Sequence, residues 1–169
     1  LLNIYVASYQ LHSTLDFDEV VGALAEVVLN FIGAEAFLIG MVEEDASEIQ
    51  VLAQEGVDCA SSGRLDIRQT TMSEVIGSGD PHFVANIDDL QVNVAAPAIC
   101  IPLKIKEQVI GVIAIYKFLR QKKRLATLDH ELFTLLAGHA ATALFASKLY
   151  TDSKRKLNTI QGFIDLVSS

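Results

Sequence analysis

Tryptophan is absent from the 169-residue chain, proline occurs three times, and the only cysteines are Cys59 and Cys100. Two cysteines are too few for a disulfide framework or a zinc cluster, so the fold must rest on its apolar core, and a reducing, cytoplasmic setting is expected. Positive charge is scarce as well: 13 Lys and Arg stand against 21 Asp and Glu, a formal net charge of −8. A nucleic-acid surface needs a basic patch, so no nucleic-acid partner is expected. No uninterrupted apolar run is as long as a membrane span, and no basic segment leads into an apolar one at the N-terminus. Neither a membrane helix nor a signal peptide is therefore expected. A chain that starts at Leu1 and not at Met is expected to be part of something longer. Apolar residues, by contrast, make up 51% of the chain, enough to exclude disorder and to build one domain with a full core.

Leu2, Tyr5, Val6 and Tyr9 recur at helical spacing. A second helix opens at Asp16, a capping residue with Glu19 three positions on and Leu15 placed to staple onto Val20. Val20, Leu24, Val27, Val28 and Phe31 then share one face, and Gly33 supplies the stop. The apolar run 36–42 ends in Glu43-Glu44-Asp45, a solvated hairpin turn, and 49–53 reads as its partner strand. Leu65-Asp66-Ile67 is a third strand. Thr71-Met72-Ser73-Glu74 reads as a capping box whose helix is halted at Gly77-Ser78-Gly79. Phe83-Val84-Ala85 is a short fourth strand, and 88–96 is a loop. The β-branched runs 98–105 and 109–116, joined by Lys106-Glu107-Gln108, predict an antiparallel hairpin. The basic run 120–124 is a solvated connector.

One helix is expected from Thr127 nearly to the end, about 40 residues and ~60 Å long. Phe133, Ala137, Ala140 and Leu144 form a stripe suited to packing on a sheet. A second stripe alternates steps of four and three: Leu132, Leu136, His139, Ala143, Ala146 and Tyr150, then Ser153, Leu157, Ile160, Ile164 and Val167. That is a heptad seam, and it predicts a homodimer through the terminal helices. The competing expectation is that the seam covers the chain's own N-terminal helix.

The order of these elements resembles a GAF domain. The residues that carry the resemblance are Leu15-Asp16-Phe17-Asp18-Glu19-Val20, then Ile101-Pro102-Leu103 with Gly111-Val112-Ile113-Ala114-Ile115. To these are added Leu135-Leu136-Ala137-Gly138-His139 and Lys148-Leu149-Tyr150 in the last helix. The resemblance implies an α+β, PAS-related fold: a central antiparallel sheet of five to six strands, with N- and C-terminal helices on one face and a pocket on the other. It divides the chain into a linker helix (1–14), the GAF domain (15–147) and a helical, coiled-coil-like extension (148–169). It also implies a non-catalytic sensory or regulatory module of bacterial signal transduction, binding a small molecule, dimerising, and acting on a fused or partner output domain. The expected pocket walls are Phe37, Ile39, Ile67, Met72, Val75 and Phe83, with Ile99, Ile101 and Ile113. His82 and Asn86 are the expected polar groups.

No cofactor is assigned. Of the cyclic-nucleotide pattern (Asn-Lys, Phe, Asp-Glu), the corresponding Tyr116-Lys117, Leu125 and Asp129-His130 keep only Lys117 and Asp129. A bilin would need a reactive cysteine facing the pocket. A haem would need a histidine ligand, for which His82 alone is near. No catalytic triad, metal-ligand set or glycine-rich phosphate loop is present in the sequence. The enzymatic alternative is a cysteine-dependent redox enzyme of the same fold, of the free methionine sulfoxide reductase type, using Cys59 or Cys100. The segment 157–163 resembles the stretch that follows the phospho-accepting histidine of sensor kinases, but Thr151 stands at the histidine's position.

Overall fold

The structure is a computed structural model that describes residues 2–59, 63–84, 92–118 and 127–168. Helix α1 (Leu2–His12) leads into α2 (Phe17–Glu26), which continues as a π-helical turn over Val27–Ile32. Asp16 caps α2, its carboxylate accepting the Glu19 N–H at 3.0 Å, while the Thr14 hydroxyl donates to the Glu19 carboxylate at 2.6 Å. Gly33, at φ 80°, ends the helix, and its N–H donates to Val28 O. The π turn carries more residues per turn than an α-helix. It thereby turns Ile32 into the core, whereas Phe31, expected on the buried face, is only half-buried.

Six strands follow: β1 (Ala34–Val42), β2 (Glu48–Glu55), β3 (Arg64–Asp66), β4 (His82–Phe83), β5 (Ile99–Ile105) and β6 (Gln108–Phe118). They form one antiparallel sheet in the order β3-β2-β1-β6-β5-β4. Helix α3 (Thr71–Ser78) lies between β3 and β4 in the chain, and α4 (Thr127–Ser168) closes it. The cap of α3 is Thr70 and not Thr71. The Thr70 hydroxyl accepts the Ser73 N–H at 3.3 Å, so the helix starts one residue before the expected box. Val84 and Ala85, expected in β4, fall outside that strand or outside the described residues, and the run 120–124 also lies outside them.

Strand alternation divides the core into two layers. Phe37, Ile39, Ile99, Ile101, Ile113 and Ile115 join Leu24, Val28, Leu136 and Ala140 in the layer under α1, α2 and α4. Leu38, Ile49, Cys100, Val112, Ala114 and Tyr116 join Ile67, Met72 and Val75 in the layer under α3. Both faces of the sheet are thus covered. This explains why β5 and β6 are apolar at consecutive positions instead of alternating with polar ones.

Helix α4 runs for 42 residues. Over His130–Ser168 it is long and apolar enough, by length and composition, to cross a membrane, which the sequence reading did not anticipate. Its first half supplies Phe133, Leu136, Ala140 and Leu144 to the domain core. The upstream part of the expected seam is used inside the chain: Leu136 and Ala143 are buried, and His139 Nδ1 lies 3.2 Å from the Ser8 hydroxyl of α1. From Ser153 to Ser168 every residue is exposed.

Between β1 and β6 the backbones leave no room for a side chain at Gly111. A Cβ at Gly111 would stand 2.5 Å from Gly40 O, and backbone cannot give way as a side-chain tip can. Gly111→Ala is expected to lower stability by about 1–3 kcal/mol, read as a lower denaturation midpoint at unchanged slope.

Candidate functional site

The surface of the sheet under α3 is the candidate site, and a short chain of hydrogen bonds holds it closed. Thr70 and the left-handed Gly79 (φ 74°) bound α3 and set its length, so that Met72 and Val75 point at the sheet. Beneath them stands Tyr116 of β6, 1% exposed. Its hydroxyl donates to Val94 O at 2.8 Å. The next carbonyl, Ala95 O, accepts the N–H of Thr71 at the start of α3 at 3.0 Å. Asn93 stiffens this turn, its side chain accepting the Ala95 N–H and its carbonyl the Ala96 N–H. Segment 93–96 is therefore tied at adjacent carbonyls to the sheet and to α3.

The expected pocket walls do not converge on this site. Ile67, Met72 and Val75 belong to the layer under α3. His82 pairs in register with Cys100, which puts it on the same face at the sheet edge, where it is exposed. Phe37, Ile39, Ile99, Ile101 and Ile113 point the other way, into the layer under the terminal helices. Phe83 pairs with Ile99 and follows it, stacking on His130 of α4 with ring centroids 4.0 Å apart. Asn86 lies outside the described residues. The cause is strand phase: apolarity does not tell one face of a strand covered on both sides from the other, and one residue's change of phase moves a side chain to the opposite face. The residues of the layer under α3 that the expected walls did not include are Leu38, Cys100, Val112, Ala114 and above all Tyr116. Counting by twos from Tyr116 along β6, through Ala114 to Val112, picks out the face under α3.

The two cysteines border this layer. Cys100 is fully buried within it, and burial pushes its thiol up to about 12. Cys59 is partly buried against the same cluster. Its thiol donates to the Gln54 side-chain oxygen at 2.7 Å, and burial, with the charge of Asp58 added, raises its pKa as well. The Tyr116 hydroxyl is pushed upward too, first by burial and then by the nearby thiols. At neutral pH the layer is uncharged, and neither thiol is poised as a thiolate nucleophile. Among the described residues no group of three or more His, Cys, Asp or Glu is placed to hold a metal.

A family profile described as GAF domain matches residues 16–145, more than three quarters of the chain. The chain belongs to the GAF domain family. No curated protein sequence matches it significantly. Several solved structures share the fold at low identity. The GAF domain from an Acinetobacter phosphoenolpyruvate-protein phosphotransferase is 11% identical with a TM-score of 0.69, over 88% of this chain and 94% of that one. A methyl-accepting chemotaxis protein, residues 122 to 287, is 19% identical with a TM-score of 0.67, over 85% of this chain and 98% of that one. The free methionine-R-sulfoxide reductase from Neisseria meningitidis, in complex with its substrate, is 17% identical with a TM-score of 0.66, over 87% and 89%. Structures that share this fold therefore include a chemotaxis protein and an enzyme.

Tyr116→Phe removes one hydrogen bond and leaves Val94 O to find another partner. The substitution is expected to cost about 1–2 kcal/mol in urea unfolding and to speed amide exchange in 92–96 more than in α1 or α2. The buried Cys100 adds a pH dependence. An unfolded thiol ionises near pH 8.5 and the folded one only near 12. Alkali therefore favours the unfolded chain, and stability should fall as pH rises above about 9, less so in Cys100→Ala measured against its own neutral-pH value.

Proposed function

We propose that the chain is a non-catalytic sensory or regulatory GAF domain of a bacterial signalling protein, which dimerises through its terminal helices and relays along α4 a bias set beneath α3. The observation that carries this reading is the division of α4. Its first half is part of the domain core, and its last 16 residues, 153–168, are exposed and rich in Leu, Ile, Phe and Val. A rigid element that is both core and projection transmits any change in how it packs. The chemotaxis and phosphotransferase neighbours support a sensory role by fold alone.

The ligand, in this reading, is small and mostly apolar. It enters the layer under α3 beside Ile67, Met72, Val75 and Tyr116, with His82 at the rim. Room for it requires the Tyr116–Val94 bond to break, which frees segment 93–96 and, through Ala95 O, loosens the start of α3. Such a ligand shifts α4 only if it binds two packings of the domain with different affinity. A cytoplasmic location and a fused or partner output domain complete the proposal.

The redox-enzyme reading draws on the methionine sulfoxide reductase neighbours. The thiols count against it, since one is buried and both are pushed away from the thiolate form.

Native mass spectrometry of the protein purified from its own host is expected to show a dimer, and a reproducible extra mass would identify the ligand class. A monomer overturns the relay. With a chromogenic disulfide reagent at neutral pH, Cys59 should react slowly and Cys100 only after denaturation; rapid reaction of both thiols in the folded protein overturns the non-catalytic assignment.

A further inference from the structure

Around α4, the residues buried within the chain and those left in solvent fall on opposite sides. Phe133, Ala137, Ala140 and Leu144 face the core. On the far side an uncharged stripe recurs every eleven residues. Leu135, Ala146 and Leu157 open its repeats, and Gly138, Leu149 and Ile160 follow three positions later. Thr142, Ser153 and Ile164 come four positions after those, and all nine are exposed. At 3.6 residues per turn the nine fall within about 100° of one another on a straight helix, an arc whose edges also carry the exposed Lys156 and the half-buried His139.

Gly138, like Gly22, Gly77 and Gly162, is a helical glycine that packing within the single chain does not require, and it is the one that lies on the outer stripe. A glycine inside a helix costs roughly 1 kcal/mol relative to Ala. Nothing lies within 4 Å of the place its Cβ would occupy, so no neighbour among the described residues requires it. Set between Leu135 and Thr142 on the outer stripe, it permits close approach of a second backbone.

The area fits a partner of the same kind. Leu135 and Leu149 are each 51% exposed, Leu157 66%, Ile160 56% and Ile164 51%. With the flanking Phe145, Phe163 and Val167, the large side chains of this side leave on the order of 800 Å² uncovered. That exceeds the largest apolar patch of a typical monomer, about 300–600 Å², and equals what one partner buries in a stable interface.

Resting on the reading that two copies pair through α4, we infer that they meet along this eleven-residue stripe, parallel and in register, as a nearly straight helix pair that crosses most closely at Gly138. An eleven-residue repeat means 3.67 residues per turn, close to the free α-helix, so the pair needs only a slight right-handed winding. A strict heptad seam drifts by ~20° per heptad, and here its upstream end has rotated onto the face that packs inside the chain. Parallel pairing sets Gly138, Thr142 and Ala146 against their own copies beside the two domains, flanked by Leu135 and Leu149, and Leu157, Ile160 and Ile164 against theirs in the tails. The helices then draw together where the domains sit and splay slightly beyond them.

The test combines cross-linking with one substitution. In protein carrying Cys59→Ser, with only the buried Cys100 left, cysteines placed one at a time at Gly138, Thr142, Leu149 and Ile160 are oxidised and run on a non-reducing gel. All four should form disulfide-linked dimers, because a disulfide needs Cα atoms within about 7 Å. Cysteines at Arg155 and Gly162, off the stripe, should not. Gly138→Leu should weaken the dimer roughly tenfold or more in sedimentation. Its circular dichroism melt as a dilute monomer should not fall, since the site is open in the single chain. Gly162→Leu, also open in the single chain, should leave the dimer unchanged. A dimer that links through Arg155 or Gly162, or ignores Gly138→Leu, overturns the stripe and leaves dimerisation standing. Linking at only one of the four stripe positions overturns the parallel arrangement. A monomeric unaltered protein overturns the dimer reading itself.

Discussion

The pairing of β1 with β6 joins the first third of the chain to its last, and both layers of the core depend on it. Ile39 pairs with Ile113 and Phe37 with Ile115, pointing towards the terminal helices, while Leu38 pairs with Ala114 towards α3. The lack of room for a Cβ at Gly111 beside Gly40 O marks how closely the two strands are held. A displacement of one strand against the other by a single residue would exchange the two layers. The sheet is therefore a rigid partition, and what changes on one face reaches the other chiefly through elements attached at its edges.

Two such attachments stand out. On the α3 side, Val94 O and Ala95 O tie one turn to Tyr116 and to Thr71. On the other side, α4 packs over β5 and β6 and also against α1, where His139 meets Ser8 and His12. Strand β5 lies in contact with both α3 and α4. A change in how α3 sits thus has a short physical route to the helix that leaves the domain. This route is a proposal about function; the contacts themselves belong to the fold.

The uncharged interior beneath α3 also bears on chemistry. Cys100, Tyr116 and Cys59 are all held in their neutral forms, largely by burial. Neither thiol of this layer is held as the thiolate that nucleophilic cysteine chemistry uses. The enzymes that share the fold show that the architecture itself is neutral on this point, as is general for widely used folds.

The elements of this protein were legible in the chain because local signals mark them: Asp16 and Gly33 bound α2, turn residues separate the hairpins, and helical periodicity after Thr127 announces α4. The cap at Thr70 was legible to within one residue. What the sequence could not settle was phase. Strands β5 and β6 are covered on both sides, so no polar residue distinguishes the face of Ile113 from that of Ala114, and the expected site mixed the two. The outward stripe of α4 posed the same difficulty. Repeats of seven and eleven share Ala146, Ser153, Leu157, Ile160 and Ile164 and part company fully only before Ala146, where the packing of α1 and the sheet shows which side of the helix is already occupied. Local composition thus determined where each element begins and ends; which way its side chains face was decided by what the rest of the chain packed against it.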